Sequence, residues 1–347
     1  MYESGTLCTG NRGLLLPLLL SARSCKRVVN HACTRSRKLN TATLPPALCG
    51  IAAMSSQKVV LVCGGAGFIG SHTCVALIES GYVPVVWDNL CNSSQESLER
   101  VAAITGHRPK LTLIDMCNHD AVMAEMASLH EECGGISCVI LFAALKAVGE
   151  SMDQPLRYYR NNLIAALNLF EAMAAYNISR VVFSSSATVY GNAETVPVSE
   201  ASPAREATNP YGQTKVMIEQ ILNDICAAQP NFSAAILRYF NPIGAHPSGT
   251  MGEDPNGIPN NLAPYIAQVA VGKREFLTVF GNDWPTADGT GVRDYIHVCD
   301  LADGHVAAVR RLETQVSSFT VNLGTGKGYR YGICLLTATV AHAHIFP

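Results

Sequence analysis

From Lys58 onward, short apolar runs alternate with longer amphipathic stretches. Lys58–Cys63 (KVVLVC) is apolar and rich in β-branched residues after its first position, the composition of a strand buried on both faces. Similar runs at 84–87 (PVVW), 110–114, 138–142 (CVILF), 180–184 (RVVFS) and Ser233–Tyr239 (SAAILRY) predict five further strands. Residues 71–80, closed by Gly81, and the amphipathic stretches 155–176 and 211–228 predict helices between them. Strands alternating with helices at this spacing imply right-handed crossovers and an α/β fold with a doubly wound parallel sheet. After Asn241 the texture changes to loops rich in proline, glycine and asparagine, which predicts a smaller lobe over the C-terminal ends of the strands. The expected division is therefore 1–54, 55–240 and 241–347, and no internal repeat is visible.

The first of these segments differs from the rest in charge. Residues 1–54 hold seven basic side chains against the single acid Glu3, and no sustained helical or strand period. They read as an unstructured or non-native extension ahead of Met54, with a mitochondrial transit peptide as the alternative. Across the whole chain, 25 Lys and Arg balance 27 Asp and Glu, so nothing draws the protein to nucleic acid or to an acidic membrane. No apolar run approaches the roughly 18 residues of a spanning helix. The 13 cysteines include no Cys-x-x-Cys pair and no zinc spacing, so no metal is expected. Their number and scatter suit reduced thiols and a cytoplasmic location.

Gly64-Gly-Ala-Gly67-Phe-Ile-Gly70 lies directly between a predicted strand and a predicted helix. In a Rossmann-type sheet, Gly64 permits the tight turn, Gly67 lets backbone amides approach a pyrophosphate, and Gly70 lets the helix pack closely. Asp88 follows 18 residues past Gly70, at the end of the second strand. A carboxylate there can bind the adenosine ribose hydroxyls and repel a 2′-phosphate, which favours NAD over NADP.

Tyr211-Gly-Gln-Thr-Lys215 puts a phenol and an ammonium on one helical face. A phenol with an ordinary pKa of ~10 is a poor base at neutral pH. The neighbouring Lys215 and an oxidised nicotinamide are expected to bring it toward the working range. Ser186, at the end of the fifth strand, can hydrogen-bond the same substrate oxygen.

These residues resemble the extended short-chain dehydrogenase/reductase superfamily, and further segments narrow the resemblance. Phe183-Ser-Ser-Ser-Ala-Thr-Val-Tyr-Gly191, Leu145-Lys-Ala-Val-Gly-Glu-Ser151, Leu237-Arg-Tyr-Phe-Asn-Pro242, Gly257-Ile-Pro-Asn-Asn-Leu262 and Gly289-Thr-Gly-Val-Arg-Asp-Tyr-Ile-His297 closely resemble the UDP-glucose 4-epimerase (UDP-galactose 4-epimerase) family, over about 58–329. The resemblance implies reversible NAD-dependent oxidation at C4 of a UDP-hexose, with Tyr211 as acid/base, Lys215 as its partner and Ser186 as hydroxyl binder. It implies Gly64, Gly67, Phe68, Ile69, Gly70, Asp88, Asn89, Asp115, Met116, Phe142, Lys146, Tyr211, Lys215 and Tyr239 around NAD. Ser186, Ala187, Thr188, Asn241, Asn260, Asn261, Leu262, Phe280 and Arg293 would line the nucleotide-sugar site. A homodimer built on 155–176 and 211–228 is also implied, with Leu163, Leu167, Phe170, Met217, Ile218 and Ile221 serving either the dimer or the core.

Sugar-nucleotide dehydratases of the same superfamily need an acid just after the serine strand, where Ser186-Ala-Thr-Val189 has no carboxylate. Standing alone, Arg293 reads equally well as a surface ion pair with Asp294 or a neighbour, and His297 as a packing or hydrogen-bonding residue. The sequence departs from the family at Cys63, where a hydroxyl residue is usual, and throughout 330–347. Family members continue for several more elements, so a truncated lobe is expected. The alternative readings are an inactive isoform that binds NAD, or another NAD-dependent enzyme acting on nucleotide sugars.

Overall fold

The computed structural model describes residues 58–279 and 281–332. The expectations for 1–54, Phe280 and the stretch after 332 lie outside the described residues. In chain order the elements are β1 (Lys58–Cys63), α1 (Phe68–Glu79), β2 (Tyr82–Asp88), α2 (Glu96–Thr105), β3 (Lys110–Leu113), α3 (His119–Cys133), β4 (Cys138–Leu141), α4 (Val148–Asp153) and α5 (Pro155–Ala175). There follow β5 (Arg180–Ser186), α6 (Pro210–Ala228), β6 (Ser233–Tyr239), β7 (Asn241–Ile243), α7 (Leu262–Ala270), β8 (Val292–His297), α8 (Val298–Thr314), β9 (Phe319–Leu323) and β10 (Gly328–Arg330).

The large sheet has the order β3-β2-β1-β4-β5-β6-β9, with every pairing parallel. Along β1, alternate residues serve two cores, because side chains of a strand point to opposite faces. Val59, Leu61 and Cys63 pack with Met126 of α3, Leu169 and Met173 of α5, and Ile218 and Leu222 of α6. Val60 and Val62 pack with Leu77 of α1, Leu98 of α2, and Leu301 and Leu312 of α8. Leu61 is 0% exposed, so truncation to alanine there costs about 2–5 kcal/mol. The order reverses between β1 and β4, and this switch point opens a crevice beyond their C-terminal ends.

The division at 240/241 needs correction. Helix α8 and strand β9 return to the large sheet, α8 against α1 and β9 beside β6. Among the described residues, β7, β8 and β10 form a second, three-stranded sheet. The loop-like texture after Asn241 conceals α8, yet Val298, Leu301, Ala302, His305, Val306, Val309 and Leu312 are buried at helical spacing. The six ambiguous apolar positions also separate. Phe170 and Ile218 are core, with Leu163 and Ile221 packed against it, while Leu167 and Met217 are exposed.

Candidate active site

The glycine turn is built at the switch point. Gly64 has φ +82°, and a Cβ there would stand 2.7 Å from the Ala143 amide nitrogen at the end of β4. A Cβ on Gly70 would meet the Gly64 carbonyl oxygen at 2.4 Å, so α1 can approach the turn only with glycine at that position. Gly67 caps α1 without a side-chain hydrogen bond, and the first turn of the helix carries no acid. A Cβ on Gly67 would touch only the Gly64 carbonyl oxygen, at 3.4 Å, which leaves a cradle in front of the helix N-terminus. An anion fits there. Asp88, nearly buried, accepts the Ala66 amide at 3.0 Å and the Leu90 amide at 2.9 Å, and the Ser93 hydroxyl at 2.8 Å.

These groups face a cavity of about 530 Å³. Every residue implied for NAD lines it, from Gly64, Gly67, Phe68, Ile69 and Gly70 through Asp88, Asn89, Asp115, Met116, Phe142 and Lys146 to Tyr211, Lys215 and Tyr239. The cradle, the Asp88 carboxylate and the Tyr211–Lys215 end lie in one continuous space, which a dinucleotide fits. Lys146 is placed by Asn162 of α5, whose side chain accepts the Leu145 amide at 2.8 Å and donates to the Leu145 carbonyl at 3.1 Å. The sequence reading missed Glu253, which lines the cavity and meets Lys146 Nζ at 3.3 Å and Asn261 Nδ2 at 2.6 Å. It also missed Ser184 and Ser185, which share the serine run with Ser186.

Helix α6 starts at the Asn209 cap, whose side chain accepts the Gly212 amide at 2.8 Å. Gly212 sits against Ala207 and Thr188 with no room for a Cβ. Tyr211 is thereby held beside the tight helical turn Ala187–Tyr190, which Ser186 caps. Ser186 Oγ accepts the Thr188 amide at 3.2 Å and the Thr188 hydroxyl at 2.9 Å. With its lone pairs occupied, its own proton is left for the Tyr211 phenol, with which it is hydrogen-bonded.

The charge balance differs from the expectation. Burial pushes the Tyr211 phenol up to about 12, and only the Ser186 bond works against it. Burial also lowers Lys215 to about 7, against the opposing pull of Glu219. Lys215 Nζ donates to the Ser184 carbonyl at 2.7 Å and lies 5.8 Å from the centre of the Tyr211 ring. In the protein alone, desolvation therefore outweighs the cation–phenol attraction. Glu219, one turn beyond Lys215, is itself held by Arg238 of β6 at 2.6 and 3.0 Å and by the Ser185 hydroxyl.

The residues implied for the nucleotide sugar are less gathered. Ser186 bonds Tyr211, Thr188 packs against Gly212, and Ala187 is in the same turn. Asn241 begins β7, and Asn260, Asn261 and Leu262 stand at the start of α7. None of these lines the cavity, nor does Arg293. Arg293 is exposed on β8 and donates to the Val292 carbonyl at 2.8 Å. It does not pair with Asp294, whose carboxylate accepts the Thr325 and Gly326 amides at 2.8 and 2.7 Å. His297 caps α8 by accepting the Cys299 amide at 3.2 Å. Among the described residues no cluster of His, Cys, Asp or Glu could hold a metal ion, and no helix is long and apolar enough to cross a membrane.

Residues 60–324 match the model of the NAD dependent epimerase/dehydratase family. UDP-glucose 4-epimerase of Bacillus subtilis is 59% identical over 270 residues, covering 78% of each chain. The human UDP-glucose 4-epimerase is 52% identical over 276 residues, again covering 78% of each. Among solved structures, UDP-glucose 4-epimerase from Bifidobacterium longum in complex with NAD+ and UDP superposes with a TM-score of 0.75 at 49% identity, covering 79% of this chain and 80% of that one.

Proposed function

This chain belongs to the NAD dependent epimerase/dehydratase family, and we propose from the site it carries that it interconverts UDP-galactose and UDP-glucose through transient oxidation at C4 of the hexose. The observation that carries this reading is the single cavity that joins the glycine cradle and Asp88 to the Tyr211–Lys215 pair. Gly64, Gly67 and the α1 N-terminus would hold the pyrophosphate of NAD, and Asp88 the adenosine ribose. When bound, NAD supplies a hydride acceptor, then a hydride donor, and a positive charge that favours the phenolate.

The chain's own residues handle the proton. Tyr211 Oη takes it from the 4-hydroxyl as the carbonyl forms and returns it as the carbonyl is reduced from the other face. Ser186 donates to the Tyr211 oxygen and thereby lowers the cost of the phenolate in a desolvated site. The Lys215 ammonium, held by Ser184, supports the same anion. Because inversion requires the carbonyl to be reduced on its opposite face by a hydride donor that stays in place, the hexose must turn over while its UDP stays anchored. We assign that anchor to Arg293 and the asparagines before α7, since guanidinium pairs well with phosphate oxygens. Elimination of water, the dehydratase reaction, lacks its acid, because Ser186–Val189 contains no carboxylate.

A homodimer is part of this proposal. Leu156, Ile164 and Leu167 of α5 and Met217 of α6 leave apolar surface exposed on adjacent helices, as a two-fold helical interface requires. The deciding experiment for the activity is incubation of purified protein with UDP-galactose, followed by chromatography. UDP-glucose should appear without net NADH. Its absence from folded protein overturns the reading.

A further inference from the structure

His305 of α8 takes no part in the chemistry just described, yet it is fully buried beneath the cavity. Its Nδ1 lies 2.8 Å from the Leu301 carbonyl. A carbonyl can only accept, so Nδ1 carries the proton. The neutral ring then has one remaining role, acceptance at Nε2, and its partner there is the Tyr239 hydroxyl. Tyr239 lines the cavity at the end of β6, and the ring of Phe142, also in the lining, lies 4.8 Å from the imidazole. The Ser184 hydroxyl bonds the Tyr239 oxygen in turn, and Lys215 Nζ reaches Ser184 Oγ at 3.4 Å.

One fixed proton at Nδ1 therefore dictates the direction of the two hydroxyl bonds above it, since the Lys215 ammonium can only donate. Tyr239 must donate to His305, Ser184 can donate to Tyr239, and Lys215 donates to Ser184. We propose that His305 is a positioning residue for the reacting centre, which orients the Ser184 and Tyr239 hydroxyls of the chain Lys215–Ser184–Tyr239–His305 so that both donate away from Lys215. This rests on the epimerase reading for its consequence, not for its geometry. A donor chain of uniform direction polarises each link, which makes Ser184 a better acceptor for the Lys215 ammonium. It also leaves the hydroxyl of Tyr239, a residue of the cavity lining, with no proton to offer a keto sugar. The chain ends on a helix carbonyl and not on solvent, which suits a reaction that gives back every proton it takes.

The groups facing this chain are few. Lys215 sees Glu219 and Tyr211 on its own helix and the ring of Phe183 from β5, while Tyr239 sees Tyr211. Burial depresses His305 to about 4, so the imidazole stays neutral across the working range and the direction of the chain does not change there.

Two measurements test the proposal. In protein labelled with 15N at histidine, the imidazole of His305, assigned by its loss in His305→Gln, should show a protonated Nδ1 and a bare Nε2 from pH 8 down to pH 6. A protonated Nε2 would overturn the proposal whether or not the protein epimerises. In the rate assay, His305→Phe removes the acceptor while keeping an apolar ring. It should lower kcat about tenfold, the loss of one hydrogen bond's worth of support. It should also move the alkaline limb of the kcat profile to lower pH, because Ser184 becomes a weaker acceptor for the Lys215 ammonium. His305→Gln, which can still offer an oxygen to Tyr239, should restore most of both. A His305→Phe profile that superimposes on the wild type, or a His305→Gln variant no better than His305→Phe, would show a structural role only. If His305→Phe does not fold, His305→Gln must still keep the wild-type limb. Absent turnover in the wild type would sink the epimerase reading and leave the nitrogen spectrum to decide this one.

Discussion

The Asp88 carboxylate accepts the Ala66 amide at 3.0 Å, so the group expected to meet the ribose also closes the glycine turn from beneath. Asp88→Ala should therefore do two things. It removes the anion that repels a 2′-phosphate, so NAD affinity should fall more than NADP affinity. It also frees the Ala66 and Leu90 amides, each worth about 0.5–1.5 kcal/mol, so the apoprotein should melt lower. Wild-type protein, denatured and filtered, should release nicotinamide without added cofactor. Titration of the variant with both cofactors checks the preference, and an unchanged ratio removes Asp88 from the ribose role.

Gly70→Ala is predicted to be more disruptive than its single methyl suggests. The new Cβ would meet the Gly64 carbonyl at 2.4 Å and the Gly65 Cα at 2.7 Å, both backbone atoms with nowhere to turn. Either α1 moves out or the turn opens, at about 1–3 kcal/mol. Nicotinamide release from the purified variant, compared with its melting temperature, separates lost binding from lost folding. A variant that copurifies with a full complement of NAD would contradict the packing argument.

Burial of Lys215 ties activity to a stability cost with a defined pH window. Its value falls from 10.5 to about 7 because the ammonium is desolvated. Between those two pH values the unfolded chain holds a proton here that the folded chain has released, so stability rises with pH across the window. At pH 6–7 nearly the whole cost is present. Lys215→Met should then be more stable than wild type by about 2–4 kcal/mol near pH 6.5, after allowance for the lost bond to Ser184. The margin should shrink toward pH 10, and the variant should epimerise more slowly than wild type. Melting temperatures across that range test it, and a margin independent of pH would show that Lys215 is not desolvated.

The dimer is testable at two positions. Leu167 and Met217 are 41% and 37% exposed on neighbouring helices, whereas Leu163 and Ile221 beside them pack on the core. Leu167→Glu with Met217→Glu should yield monomers without changing the fold. Light scattering at micromolar concentration reads this directly. Wild-type protein that is monomeric there would defeat the interface.

Much of this was open to reading from the chain alone. Lys58–Cys63 and Ser233–Tyr239 form strands with those bounds, because short, mostly apolar runs of strand length suit a sheet covered on both faces. The residues assigned to the cofactor share a cavity because their motifs sit at strand ends, and a parallel sheet gathers all its strand ends on one side. Long-range polar partners were not open to reading in the same way. Glu219 meets Arg238 and Tyr239 meets His305 only because α6, β6 and α8 are brought together by the sheet order, and no local period announces such pairs. The tuning of Tyr211 is legible only in part, for a related reason. Sequence shows the neighbouring charge, but not the depth of burial that outweighs it.

The chemistry itself is tested by removing one oxygen. Tyr211→Phe deletes the phenol and almost no volume, so folding and NAD content should survive while epimerisation collapses. General acid–base catalysis contributes ~10²- to 10⁴-fold, or roughly 2.7 to 5.5 kcal/mol of transition-state stabilisation. Ser186→Ala should cost less, but it should move the ascending limb of the rate profile upward in pH, since the bond that lowers the phenol is gone. Lys215→Ala should shift that limb in the same direction by removing the cation held at Ser184. Both origins are buried, one a hydrogen bond and one a charge, so high salt should leave either shift nearly unchanged. If wild type turns over and Tyr211→Phe keeps most of that rate, the proton is handled elsewhere and the role of Ser186 falls with it.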